Sequence, residues 1–441
     1  MINLSKETVK SLVVLFFTSL FFFYGFGLNN MFNALGGQLM ETYQLSPEGL
    51  GWISSLYFWA NVISLIPMGI LCDRTSPRVV ILCALVLSVM TVVAIAVSSE
   101  LWVLIVARLF MGMAGGCIFV GCIRIAVNWF SLSHMARVVG FIVTMGMLGG
   151  FMVQSPFIAL INLLDWREAL LIVALVGVVI AILIAAFVRD VPQKIKPSFD
   201  PFNHEEHEHS GNLDSRTQKK LVEKKIVKKE SEEIKKSLCG NLKIAFKNPQ
   251  NWLAGLAGSL NNLPIFLLGA LWGVPYLMSV ERLSNTEAGL VSGMLYFGTM
   301  VGSPLMGMIS DGLKRRKLPM LAGILLSIVI IEICLNLQHV SLLVWCLVFF
   351  LLGMTASAQV LAYPIVAESN PHPVISTATS IISIQMLLGG AISEPLFGYI
   401  LDKMGGGNSP MAYEAAIKIL PIAFVLAFIV ALFIRETRAQ R

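Results

Sequence analysis

The sequence predicts an all-α integral membrane protein with twelve transmembrane helices in two pseudo-symmetric six-helix bundles. Three observations carry this. Of 441 residues, 56% are hydrophobic and 13% are charged, and the mean hydropathy is +0.78. A soluble domain of this length cannot hide that much apolar surface, whereas lipid solvates it. The apolar residues also fall in runs long enough to cross a bilayer, which takes about 20 residues of helix. Finally, the second half of the chain repeats features of the first at a fixed offset.

The runs lie at 11–35, 48–71, 79–98, 101–128, 138–163 and 168–188, then at 252–280, 287–310, 318–338, 341–367, 376–401 and 413–434. The first has the look of a signal-peptide core, but no small-residue cleavage site follows it, so it reads as an uncleaved span. Between the sixth and seventh runs the composition changes. Residues 189–250 hold 14 Lys/Arg, including KKLVEKKIVKKESEEIKK, and cannot cross a membrane. The domain expectation is therefore a first bundle over 1–188, a solvated charged linker over 189–250 and a second bundle over 251–441. The HEEHEH run, His204 to His209, lies in that linker and reads as a solvated charge run rather than a metal site.

Lys and Arg set orientation. Lys6, Lys10, Arg74, Arg78, Arg137, the linker, Lys314 to Lys317, Arg435, Arg438 and Arg441 fall on one side; only Arg167, Arg282 and Lys403 fall on the other. Both termini and the linker are thus expected in the cytoplasm of a cell with a bacterial inner membrane. The net charge of +6 comes from these segments, which gives no support to a nucleic-acid partner. The seven cysteines show no paired spacing and read as small core residues, with no disulfide or metal role.

The repeat aligns SPEGLGWIS (46–54) with SNTEAGLVS (284–292) at an offset of 238, which carries Gly69 onto Gly307 and Asp73 onto Asp311. Two joined bundles of this kind can rock about a site between them. The turn GILCDRTSPR, after the second span, returns as GMISDGLKRR after the eighth. With twelve spans and a long central loop, these residues resemble the major facilitator superfamily, over nearly the whole chain. The family's loop pattern is roughly G-x-x-x-D-[RK]-x-G-[RK]-[RK]; Gly69, Asp73, Arg74 and Arg78 match it, Ser76 and Pro77 depart from it, and the second copy keeps Gly307, Asp311 and Arg315. The resemblance implies a monomeric secondary transporter rather than an enzyme, with membrane lipid as its surroundings and no cofactor. No G-x-x-x-x-G-K-[ST] sequence offers ATP hydrolysis, so a proton or ion gradient is the expected drive; a membrane potential supplies about 2.3 kcal/mol per charge per 100 mV. The charged turns are read as a latch that holds one rocking state, the bland alternative being simple positive-inside topology.

Within the spans the costly residues are the informative ones. Arg108 and Arg124 both sit in the fourth run, about four and a half turns apart. Arg108, followed by Gly112, Gly115 and Gly116, resembles the family's fourth-helix arginine and carries a proton-coupling expectation. Arg124 either binds an anionic group in a cavity or snorkels to the nearby interface. Glu394, in GGAISEPLFGYILD, is a candidate proton carrier or the partner of an arginine, and Glu332 is an outside candidate. Asn29, Asn30 and Asn33 in the first span, with Tyr24 a turn away, and Asn261 and Asn262 in the seventh are read as pathway amides, because the resemblance places those two helices along the cavity. Tyr57, Asn61, Gln154, Tyr296, Gln359, Tyr363 and Gln385 complete a polar set; each alone is more often a packing group, but together they point to a hydrogen-bonding cavity for a small polar substrate. In the fifth span Gly149-Gly150 is present, but Met147 stands where drug exporters of the family tend to carry Pro. That favours proton-coupled uptake of a small polar metabolite, an anionic one where Arg124 faces the cavity; efflux of a metabolite, siderophore or drug by proton antiport is the alternative.

Overall fold

A computed structural model of the chain describes residues 6–130, 134–190, 240, 242–337, 340–371, 374–407 and 409–437. Most of the segment 189–250, the His204–His209 run included, lies outside the described residues, as does the side chain of Asp73. The described residues form helices and no strand.

The first bundle comprises α1 (Lys6–Tyr43), α2 (Pro47–Arg74), α3 (Pro77–Val97), α4 (Leu101–Trp129), α5 (Met135–Gln154) continued by α6 (Pro156–Leu163), and α7 (Trp166–Phe187). The second comprises α8 (Pro249–Asn261), a π-helical stretch (Ile265–Gly269) and α9 (Gly273–Val280) as one interrupted crossing. It continues with α10 (Asn285–Leu313), α11 (Lys317–Asn336), α12 (Leu342–Ala356) running through a 3₁₀ turn into α13 (Ala362–Glu368), α14 (Ile375–Lys403), and α15 (Pro410–Ala416) running into α16 (Ile419–Leu432). These are the twelve crossings the apolar runs predict. Ten of the described spans are long and apolar enough to cross a membrane on length and composition. The other two crossings are the interrupted seventh and α10, whose Ser, Thr and Gly content dilutes its hydropathy.

Several helices begin at sequence-encoded caps. Ser46 accepts from the Gly49 N–H with Pro47 at the first helical position; Ser284 and Glu287 form a reciprocal capping box on α10; Asp165 and Asn248 cap α7 and α8. α1 runs well past its apolar core, to Tyr43, because the flanking QLMET residues continue the helix into the interface.

The bundles meet along two seams, α2 against α14 and α5 against α10. At the face away from the chain termini the seams are tight. A Cβ on Gly51 of α2 would stand 2.7 Å from the Glu394 carbonyl oxygen of α14, so only glycine lets these backbones approach. The Glu48 N–H donates to Asp402 Oδ2 at 2.9 Å, and Asn162 Nδ2 donates to Thr286 Oγ1 at 2.9 Å. Toward the termini face the same helices are uncovered. Ile66, Ile70 and Leu71 on α2 and Met308, Ile309 and Leu313 on α10 are exposed, and a Cβ at Gly69 or Gly307 would meet no atom within 4 Å.

The charged turns dock within their own bundles. Asp311 pairs with Arg316 at 2.6 Å, and Arg316 reaches Glu368 at 3.0 Å; the partner is thus Arg316, while Arg315 is exposed and contributes backbone to the turn, its carbonyl accepting from Ser310 Oγ at 2.8 Å. In the first bundle Arg78 donates its N–H to Asp190 Oδ1 at 2.9 Å and its guanidinium to the Ala185 carbonyl, and Arg74 is exposed. Asp190 and Glu436 were not singled out from sequence, yet they are a matched pair. Asp190 caps the start of α3, and Glu436 accepts from the Arg316 and Lys317 N–H groups at 2.7 and 2.9 Å at the start of α11. The signal was present: FVRD (187–190) after the sixth span returns as FIRE (433–436) after the twelfth. Replacing Asp190 by Ala should lower stability by about 1–2 kcal/mol, read as the midpoint of thermal unfolding in detergent; Arg189→Ala, which removes no cap, should leave that midpoint nearly unchanged.

Candidate functional site

Among the described residues only two charged side chains are buried, Arg108 on α4 and Glu394 on α14, both 0% exposed. They belong to opposite bundles and interact electrostatically across the seam. Arg108 is tightly held. Its Nη2 donates to the Asn29 carbonyl at 3.1 Å and to Ser54 Oγ at 3.2 Å, and its Nε donates to the Ser54 carbonyl at 3.3 Å. Phe32 and Tyr57 sandwich the guanidinium, their ring centres 4.0 and 5.0 Å from its central carbon. Glu394 is held differently. Trp272 Nε1 donates to its backbone carbonyl at 3.2 Å; Ser54 is the hydroxyl beside the carboxyl, but no hydrogen bond of normal geometry reaches either carboxyl oxygen. Its neighbours are Arg108, Ser54 and Tyr296. An ionisable side chain buried at membrane depth is costly and stands out as a candidate functional group.

Around this pair a polar layer joins the bundles. It is built on the interruption of the seventh crossing, where Pro264 lacks an N–H and the chain passes through a π-helical stretch. The carbonyls freed there are taken up from elsewhere. Asn33 Nδ2 lies 2.9 Å from the Leu268 carbonyl, 3.0 Å from the Gly269 carbonyl, and 2.9 Å from both Gln154 Oε1 and Ser292 Oγ. Asn33 Oδ1 accepts the Val274 N–H at 2.9 Å and so caps α9 from the opposite bundle. Gly273 must be glycine, since a Cβ would fall 1.9 Å from the Leu268 carbonyl oxygen. Gln154 Nε2 donates to Gly269 and Asn30 carbonyls at 2.8 and 3.2 Å, and Tyr296 Oη donates to Asn30 Oδ1 at 2.7 Å.

The structure thus brings Asn29, Asn30, Asn33, Tyr57, Arg108, Gln154, Tyr296 and Glu394 into one buried layer. Asn29 Oδ1 has no partner there. It does not bring the other candidates to that layer by any contact described. Asn261 donates to the Thr355 and Ala356 carbonyls within the second bundle at 3.4 and 3.0 Å, and Asn262 caps α8. Gln385 donates to the Asn251 carbonyl at 3.3 Å, and Gln359 is half-buried on the 3₁₀ turn. Arg124 is exposed five residues before the end of α4. It shares a helix face with exposed Val106, Phe110, Met113 and Val127. Glu332 is exposed on α11. Ser54, Ser292 and Trp272 were not singled out from sequence; serine is too common in spans to stand out, and Trp272 reads as apolar.

Two repeated six-helix bundles that share a polar layer at one face and stand apart at the other have the architecture of a membrane transporter. The sequence profile of the Major Facilitator Superfamily matches residues 15–280 and 254–441, and the chain belongs to that family. It is similar to the probable galactarate/D-glucarate transporter GudP of Escherichia coli, 22% identical over 92% of this chain and 90% of that one. It is similar also to the phosphoglycerate transporter protein of Salmonella typhimurium, 26% identical over 86% and 80%. A crystal structure of a bacterial homologue of the human lysosomal transporter Spinster, inward-facing and unoccupied, superimposes with a TM-score of 0.69 over 98% of both chains at 15% identity.

Proposed function

We propose that the protein takes up a small organic anion by alternating access, driven by protons, with both termini in the cytoplasm and the present structure facing inward. The single observation that carries the coupling is the buried Arg108–Glu394 pair. One charge lies in each bundle, at the seam that must part when the opposite face opens. Glu394 is sealed from water here and gains it only when α2 leaves α14. A carboxyl whose access switches with the bundles is what coupling a proton to a conformational cycle requires.

The anion reading is supported by the organic acids and phosphates named for the relatives. On this reading Arg124, on the apolar outer stripe of α4, snorkels to the interface, and the exposed Arg74 and Arg315 of the basic turns draw the anion to the inward mouth. Asn262, Gln359 and Gln385, which the seal does not use, offer hydrogen bonds within. Arg108, its donors already committed to α1 and α2, positions Glu394 rather than binding substrate.

The test is reconstitution into liposomes with glucarate and 3-phosphoglycerate as probes. An inward proton gradient should drive accumulation by the native protein. Glu394→Gln should abolish gradient-driven accumulation while leaving substrate counterflow. Accumulation indifferent to the gradient would defeat the coupling, and gradient-driven depletion would establish the efflux alternative.

A further inference from the structure

A crevice of about 340 Å³ opens sideways between α2 and α14, at the sealed end of the seam. Its walls are two outward stripes. On α2, Glu48, Trp52 and Trp59 follow at helical spacing; on α14, Ile392, Leu396 and Tyr399 do the same. Trp52 is 52% exposed and Ile392 59% exposed, so the crevice faces the bilayer and not the substrate path. Its lips carry opposite charges. Glu48, in the first turn of α2, is on one side. Lys403, the last residue of α14, is on the other, with its Nζ 5.6 Å from the centre of the Tyr399 ring.

We propose that this crevice is a binding site for a phospholipid with an ammonium headgroup, such as phosphatidylethanolamine. Opposite charges at the mouth and apolar walls below them match the zwitterionic headgroup and the tails of that lipid. Glu48 and the Trp52 indole meet the ammonium, by charge and by cation–π attraction. Lys403 meets the phosphate as a point charge. Deeper in, Trp59, Ile392 and Leu396 line the path of an acyl chain at the depth where lipid tails lie. The charges are those of a zwitterion, so an anionic lipid would gain Lys403 and be repelled by Glu48. The seam bearing this lipid is the one that parts when the sealed face opens, and a bound lipid would therefore stabilise the present conformer.

The test is native mass spectrometry of the full chain, released from micelles holding equal amounts of phosphatidylethanolamine and phosphatidylglycerol with the same acyl chains. The native protein should retain the ethanolamine lipid about fivefold over the glycerol lipid. It should also favour it over N-acetylated phosphatidylethanolamine, in which the ammonium charge is gone. Glu48→Gln should bring the preference close to parity; the backbone N–H of residue 48 still bonds Asp402 in that variant. Equal retention of the lipids by the native protein, which is what a non-selective lipid shell would give, overturns the site. A preference unchanged in Glu48→Gln overturns it too.

Discussion

Replacing Asn33 by Ala moves the population of molecules toward the conformer in which the sealed face is open. The reasoning is an inventory of what Asn33 alone supplies. The Leu268 carbonyl keeps Ser292 as a donor at 2.8 Å, and the Gly269 carbonyl keeps Gln154 at 2.8 Å. The Val274 N–H, however, has Asn33 Oδ1 as its cap, and in the alanine variant it is left buried and bare. A buried N–H left unpaired costs about 1–3 kcal/mol. The cost falls only on the sealed conformer, because Asn33 and Val274 belong to opposite bundles. A bias of about 2 kcal/mol is a change of about thirtyfold in the conformer ratio. Spin labels at exposed Arg137 and Leu318, one in each bundle near the termini face, report it as a shift to shorter distances. Asn162→Ala serves as the comparison. Its bond to Thr286 joins the same bundles but is exposed, where water replaces it, and the distance distribution should stay close to native. A native-like distribution in Asn33→Ala would show that the amide layer does not hold the seal.

This result also marks the boundary of what the sequence discloses. The twelve crossings and the two bundles were legible, because lipid imposes length and apolarity on each span independently of its neighbours. Arg108 and Glu394 were legible for the same reason: a charge at membrane depth stands out against its own helix. Asn33, Gln154 and Tyr296 could be picked out as polar but not given a task. Whether an amide lines a path or ties two bundles depends on which helix crosses it, and here Asn33 meets residues 235 to 241 positions away. The break in the seventh crossing was marked by Pro264, yet nothing local says that its freed carbonyls are satisfied from the other bundle. Arg124 shows the opposite difficulty. Its chemistry suits an anion, but the face of α4 it occupies is fixed by how α4 packs on α2 and α3. The caps Asp190 and Glu436 lay outside the spans, where charge is ordinary, and only the FVRD and FIRE repetition distinguished them.

Arg108→Met and Glu394→Gln are expected to differ sharply in their cost, and to cost less together than separately. Removing Arg108 strips two helices, α1 and α2, of a shared partner, since the guanidinium binds carbonyls of Asn29 and Ser54 and lies between Phe32 and Tyr57. It also leaves Glu394 without the charge that faces it. A buried charge that loses its partner destabilises by about 3–5 kcal/mol. Glu394→Gln is milder in its effect on folding. Arg108 keeps every hydrogen bond that holds it, and the carboxyl that is lost accepted no hydrogen bond of normal geometry to begin with. In the double variant the uncompensated acid is gone, so part of the Arg108→Met deficit is recovered, with a coupling of about 1–3 kcal/mol between the sites. Thermal unfolding of the four proteins in one detergent measures this cycle directly. Transport should not follow stability. The double variant regains a fold but not a proton site, and gradient-driven accumulation stays absent in it. Strict additivity of the two substitutions would mean that the charges do not feel each other across the seam, and Glu394 would then need a different counter-charge to enter and leave the cycle. Arg108→Lys sharpens the distinction. The ammonium keeps the charge opposite Glu394 but cannot hold the α1 and α2 carbonyls in a planar fork, so the electrostatic part of the coupling should survive while most of the packing loss remains.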